Sequence, residues 1–186
     1  MVIYDACVLY PASLRSFLMW IGVHGLARPC WTERILDECF DNLLSNRPDL
    51  GRSDLTRTRR LMCEAIPDCL VTGFESRIDG LSLPDPDDCH VLAAAIEARA
   101  DLIITFNLAD FPIDRLQPHG VEAVHPDKFV SSLVERDPDL IVRCLKDEAS
   151  IRNNPNRSMA DVVTSLKTCG LARSANSMRA LLAEMK

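Results

Sequence analysis

No stretch of the 186-residue chain offers the roughly 20 uncharged apolar residues that a bilayer-spanning helix needs, so neither a transmembrane helix nor a membrane partner is expected. The opening MVIYDACVLY lacks a basic segment followed by a long apolar run. A secretory signal is therefore not expected, and the chain reads as cytoplasmic. None of the eight cysteines (7, 30, 39, 63, 69, 89, 144 and 169) stands in a C-x-x-C pair, which removes the usual signature of a zinc ribbon. Reduced thiols packed as small hydrophobes are the expectation. A net positive charge is also missing: the balance of −6 argues against nucleic-acid binding through overall charge, which depends on neutralising phosphates. The chain holds no internal repeat and no low-complexity segment.

What is present is an ordinary globular composition, 47% hydrophobic and 26% charged, at a length that allows one main core and a small appendage. Val2 to Tyr4 predicts a strand ending at Asp5, and Pro11 opens a helix over about Ala12 to Gly22. CWTERILDECFDNLLSN reads as a helix through the Ile35–Cys39–Leu43 stripe, and DLTRTRRLMCEAI as another, closed by Pro67. Cys69 to Thr72 predicts a strand stopped by Gly73. After the loop LSLPDPDD come the helix HVLAAAIEARA, the strand LIITF ending at Asn107, and a short strand over Glu122 to Val124. Strands alternating with helices predict an α/β fold, a parallel sheet sandwiched between helices.

Beyond about Arg136 the strand signal ends. DPDLIVRCLKDEA, SMADVVTSLKTCG and SANSMRALLAEM read as three short helices, separated by Asn154-Pro155 and Gly170. Residues 142–186 carry 8 Lys+Arg against 4 Asp+Glu, whereas 1–141 carry 13 against 23. These features suggest a main domain over 1–135 and a helical C-terminal extension over 136–186.

In a parallel α/β sheet, ligands bind outside the carboxyl ends of the strands. That rule selects Asp5, and Asn107 with Thr105 two residues before it. The segment PDPDDCH, Pro84 to His90, adds three aspartates at a helix start. On a helix beginning near Asp87, Asp88 falls in line with the buried stripe of Val91, Leu92 and Ala95. His90 would lie about 200° around that helix at roughly 100° per residue, and Cys89 would likewise be turned away. Asp87 would cap the helix and Asp85 would sit on the entering loop, both ordinary helix-start chemistry. A carboxylate on a buried face near Asp5 is repelled unless a cation lies between them. Oxygen ligands of this kind suit Mg²⁺ or Mn²⁺.

These residues resemble the motifs of PIN-domain ribonucleases, in particular the VapC-type toxins of bacterial toxin–antitoxin pairs. Asp5 in VIYDACVLY is similar to the family's first acid, and WTERILDE to the segment supplying the second, which places that role on Glu38. DDCHVLAAAI resembles the helix carrying the third acid, here Asp88, with Ala95 as its small packing residue. ITFNLADFP resembles the fourth element, with Asn107 where an Asp or Asn stands and Asp110 as the alternative. The resemblance runs from about Val2 to Val130. Geometry alone does not separate Glu38 from Asp37 or Asp41, since all three lie off the apolar stripe.

The resemblance implies an endoribonuclease in which Mg²⁺ or Mn²⁺, held by Asp5 and Asp88 with Glu38 nearby, polarises a phosphodiester and activates water. One carboxylate would take up the proton, with Thr105 and Asn107 orienting the water or a cation-bound oxygen. It also implies hydrolysis leaving a 5′-phosphate and a 3′-hydroxyl, an RNA substrate (tRNA, rRNA or mRNA), a cognate antitoxin protein and room for a homodimer. RPDLGRSDLTRTRR, whose arginines include Arg47, Arg52, Arg57, Arg59 and Arg60, is the candidate RNA contact, with a solvated helix face as the plain alternative. A haloacid dehalogenase-type phosphatase would need an acid where Cys7 stands, and a response regulator would need an acidic pair before its phosphorylated aspartate. A catalytically silent PIN-like scaffold binding RNA or protein is the remaining rival, kept alive by Asn107.

Overall fold

A computed structural model describes residues 1–151 and 157–184. The elements run β1 (Val2–Tyr4), α1 (Ala6–Leu9), α2 (Ala12–Val23), β2 (Pro29–Cys30), α3 (Glu33–Asn46), α4 (Arg52–Ala65), α5 (Glu75–Ile78), α6 (Cys89–Ala98), β3 (Leu102–Ile104), α7 (Ile113–Leu116) and β4 (Glu122–Val124). Four helices follow: α8 (Pro126–Arg136), α9 (Pro138–Ser150), α10 (Met159–Thr168) and α11 (Ala172–Glu184). The expected Asn154-Pro155 break and the end of the last helix at Met185 lie outside the described residues.

The chain divides into two compact units. The first, residues 1–10 and 28–125, holds a four-stranded sheet in the order β2-β1-β3-β4, with every pairing parallel. β1 and β3 are its central strands, and their Ile3, Tyr4, Ile103 and Ile104 are wholly buried. The continuous apolar character of VIY and LII is what a strand covered on both faces requires. Helix α6 packs on β1 and β3. Its Ala93, Ala94 and Ala95 have no exposed surface, and such small side chains let the helix backbone lie close to the sheet.

Two sequence expectations change here. Cys30 belongs to the edge strand β2 rather than to the following helix, and α3 begins only after Thr32, whose hydroxyl accepts the Ile35 N–H at 3.0 Å. Pro29 disguised that strand, yet an edge position tolerates a residue that donates no ladder hydrogen bond. The strand expected over Cys69 to Thr72 shrinks to a single parallel bridge, Trp31 to Leu70, with the Trp31 N–H donating to the Cys69 carbonyl at 2.9 Å and the Val71 N–H to the Trp31 carbonyl at 2.8 Å.

The second unit comprises residues 11–27 and 126–186, within which the described part is helical. Helix α2 packs on α9 and α10, and α11 on α8 and α10. Its core includes Leu14, Phe17, Leu18, Ile21, Ile141, Leu145, Val163 and Met178. A buried polar link crosses it: the Ser16 hydroxyl donates to Glu148, Arg157 pairs with Glu148 at 3.0 Å, and Arg157 donates to the Ser165 hydroxyl at 2.8 Å. A Ser158–Asp161 capping box starts α10. Among the described residues no helix is long and apolar enough to cross a membrane.

Candidate functional site: an acidic pocket at the strand ends

The parallel register pairs Tyr4 with Ile104, so the next residues, Asp5 and Thr105, emerge side by side at the carboxyl end of the sheet. Asp5 also caps the short helix α1. Its Oδ1 accepts the Ala6 N–H at 2.7 Å, and its Oδ2 accepts the Thr105 hydroxyl at 2.7 Å and the Cys7 thiol at 3.1 Å. Thr105 in turn accepts the Asn107 N–H at 2.9 Å, and the Phe106 N–H donates to the Cys7 sulfur at 3.3 Å. Asp5 is only 3% exposed. Burial raises its pKa above the usual carboxylate range, the Thr105 and Cys7 hydrogen bonds oppose that rise, and the charge of Glu38 adds to it. The Thr105 hydroxyl hydrogen is therefore committed to orienting Asp5.

Beside this pair lies a pocket of about 510 Å³ whose lining includes Glu38 from α3, Asp88 at the start of α6, and Asn107 and Asp110 after β3. Asp88 is half-buried, and its pKa is pushed up to about 7. Burial is the largest cause, followed by the charges of Asp5, Asp85, Asp110 and Glu38. Asp5 and Asp88, from elements more than eighty residues apart in sequence, thus act electrostatically on the same space. Asn107, exposed, brings an uncharged amide to the wall.

The structure separates the three candidate acids of α3, Asp37, Glu38 and Asp41. Asp41 faces a different, smaller pocket, and Asp37, although on the acidic pocket's wall, is paired with Arg59. Glu38 raises the pKa of both Asp5 and Asp88, which ties it to them electrostatically.

His90 corrects the sequence reading. It is 2% exposed, lines the acidic pocket, and brings Nε2 to 3.6 Å from Glu38 Oε2. Residues 86–88 form a 3₁₀ turn and the α-helix begins at Cys89, so Asp88 stands at the junction rather than on the α-helical wheel, and the expected rotation of His90 away from it does not apply. Asp85, not Asp87, is the cap: its Oδ1 accepts the Asp87 N–H at 2.9 Å. Cys89 is buried and does not line the pocket.

Two further groups escaped sequence reasoning. Cys7 served there only to argue against a phosphatase, whereas its thiol holds Asp5. Arg34 stands on the pocket wall in the first turn of α3 and makes no ion pair among the described residues. A cation there opposes the helix dipole, and no periodicity signal marks it out.

The arginine-rich segment is partly neutralised by carboxylates of the same chain. Arg59 is held by Glu33 and Asp37, Arg60 lies 3.6 Å from Glu64, and Arg47 is paired with Asp49. Arg52 and Arg57 are exposed on α4 and have no such partner among the described residues.

The donor chemistry fits a hard divalent cation: the carboxylate of Glu38 raises the pKa of Asp5 and Asp88, and that of Asp5 raises the pKa of Asp88, so positive charge between them is favoured. Among the described residues no three His, Cys, Asp or Glu side chains already stand in a metal-ligand cluster.

A parallel sheet with acids converging at its strand ends is the architecture of a PIN domain, and the chain belongs to that family, whose model matches residues 1–109. Residues 126–180 match the model of the VapC50 C-terminal domain. Over 43 residues, 23% of this chain and 25% of the relative, the sequence is 54% identical to a Mycobacterium tuberculosis (strain ATCC 25618 / H37Rv) protein described as "Putative ribonuclease VapC50". The match thus spans about a quarter of that protein's length. No solved structure matches the chain.

Proposed function

We propose that the chain is a divalent-cation-dependent endoribonuclease, the toxin member of a VapC-type toxin–antitoxin pair acting in the cytoplasm. The observation that carries this reading is the pairing of two carboxylates, buried Asp5 and half-buried Asp88 on the wall of the acidic pocket, with the charge of Asp5 opposing ionisation of Asp88. Mg²⁺ or Mn²⁺ held by Asp5 and Asp88 would supply the positive charge that offsets them and polarises a phosphodiester. Thr105 and Cys7 fix the direction of the Asp5 carboxylate. Glu38, on the same wall, is the group to accept a proton from the attacking water, and Asn107 offers an amide to orient it without adding charge. Arg34, a cation of the wall with no ion pair among the described residues, meets a substrate phosphate, and Arg52 and Arg57 extend the contact along RNA. The products carry a 5′-phosphate and a 3′-hydroxyl, and the partner is a cognate antitoxin protein. The VapC50 name of the matched relative supports this choice of substrate class.

A silent RNA- or protein-binding scaffold is the second reading, favoured by the neutral Asn107 and by the absence of a ready-made ligand cluster among the described residues. One experiment separates the two: cleavage of structured RNA by the parent, Asp5→Asn and Asp88→Asn, with Mg²⁺, with Mn²⁺ and with chelator. Cation-dependent cleavage reduced roughly 100-fold or more in both variants is the expected result. Binding without turnover, or variants as active as the parent, overturns the proposal.

A further inference from the structure

His90 is costly where it stands. Its neighbours Cys89, Val91 and Leu92 are buried, and its Nδ1 is a buried polar atom with no hydrogen-bond partner among the described residues. A leucine of similar bulk would fill the site without an unsatisfied nitrogen, so packing alone does not account for an imidazole. The ring's other nitrogen, Nε2, looks across to α3 and lies 3.6 Å from Glu38 Oε2. A buried acceptor without a partner is tolerated better than a buried N–H without one. The tautomer this favours carries its hydrogen on Nε2, facing the carboxylate.

Glu38 needs such a contact. It projects from the polar face of α3, nearly half exposed, and Asp5 and Asp88 both repel it. Its helical neighbours do not restrain it: Arg34, one turn earlier, forms no ion pair with it, and Asp37 engages Arg59. Among the described residues His90 is the one side chain that meets the Glu38 carboxylate as an ion-pair or hydrogen-bond partner. A 3.6 Å separation is longer than a hydrogen bond, as catalytic contacts often are before substrate closes them.

We propose that His90 is a positioning residue, whose Nε2–H aims the Glu38 carboxylate into the pocket where the phosphodiester is hydrolysed. This rests on the reading of Glu38 as the proton acceptor. His90 reaches the reaction only through Glu38, so its removal slows turnover without weakening RNA binding, and has nothing left to remove once Glu38 is gone.

The test is a double-mutant cycle of His90→Leu with Glu38→Gln, accompanied by His90→Gln, whose amide can return a donor near Nε2. Turnover on single-stranded RNA at saturating Mg²⁺ is expressed per folded molecule, the folded fraction coming from thermal melts. The expected result is a kcat lower by roughly 10–100-fold in His90→Leu with KM within about threefold, substantial recovery in His90→Gln, and no further loss when His90→Leu is added to Glu38→Gln. Losses that multiply in the double variant, or a His90→Gln protein no better than His90→Leu, overturn the proposal. A readout independent of cleavage is the carboxyl ¹³C resonance of Glu38: it should move toward the value of a free glutamate in His90→Leu and stay near the parent value in His90→Gln. An unchanged resonance in His90→Leu refutes the positioning role even if the chain cleaves no RNA, whereas a shifted resonance in a chain that cleaves no RNA places the failure in the ribonuclease reading.

Discussion

Asp88 is held where ionisation is unfavourable. With a pKa near 7 in the folded chain against about 3.8 as a free side chain, the native state binds the extra proton between those values. Stability contributed by that proton is therefore full below about pH 4 and is lost as pH rises through 7. Asp88→Asn removes the titration, so in cation-free buffer the variant should melt higher than the parent at about pH 8, with the advantage vanishing near pH 4; a gap independent of pH refutes it. Excess Mg²⁺ should narrow the gap at high pH by stabilising the parent alone. Asp5, Thr105 and Asn107 were legible in sequence because the strand-end rule needs only the end of an apolar run. Glu38 was legible only by resemblance, since its neighbours share its helix face. His90 was misread because a single 3₁₀ turn breaks the angular bookkeeping, and Cys7 because a thiol beside an acid has no sequence signature of a hydrogen bond.

At the scale of elements, α3 carries Glu38, and its start decides where Glu38 points. Thr32 has no exposed surface, and its hydroxyl supplies the cap. Thr32→Ala should cost about 1 kcal/mol in denaturant unfolding and reduce RNA cleavage beyond what the lost folded fraction explains, because the first turns of α3 lose their anchor. Thr32→Ser should retain most of both; equal damage from Ser and Ala counts against this role. The long helices were legible because their apolar spacing repeats over three turns or more. The short elements were not: β2 is two residues with a proline in it, and the run from Cys69 to Thr72 holds the β-branched and apolar residues of a strand but finds only one bridging partner. Pairing is a tertiary matter, and propensity does not contain it.

On the scale of the whole molecule, the grouping of α2 with the C-terminal helices was not legible, since more than a hundred residues separate them in sequence. A chain ending at residue 135 would leave Leu14, Phe17, Leu18 and Ile21 without the α9 and α10 surfaces on which that helix packs. Expressed alone, residues 1–135 should be aggregation-prone and should lose the cooperative unfolding of the full chain; a soluble, sharply melting fragment would show that α2 is supported without them. Breaking the Glu148–Arg157 link by Glu148→Leu should act on the same unit. It would strand a half-buried guanidinium, a change that typically costs about 3–5 kcal/mol.

The hydrogen bond from Thr105 to Asp5 joins residues 100 positions apart, and no hairpin shortens the path, because every strand pairing is parallel. During synthesis, therefore, the first acid leaves the ribosome long before the residue that aims it, and β4, the neighbour of β3, follows later still. A growing chain has no assembled acidic site until most of its length has emerged, and closing so long a loop is slow compared with local helix formation. For the ribonuclease proposed above, that delay would keep the nascent chain from acting on the ribosome making it, and the interval before closure is the time in which the proposed antitoxin, made alongside, would arrive first.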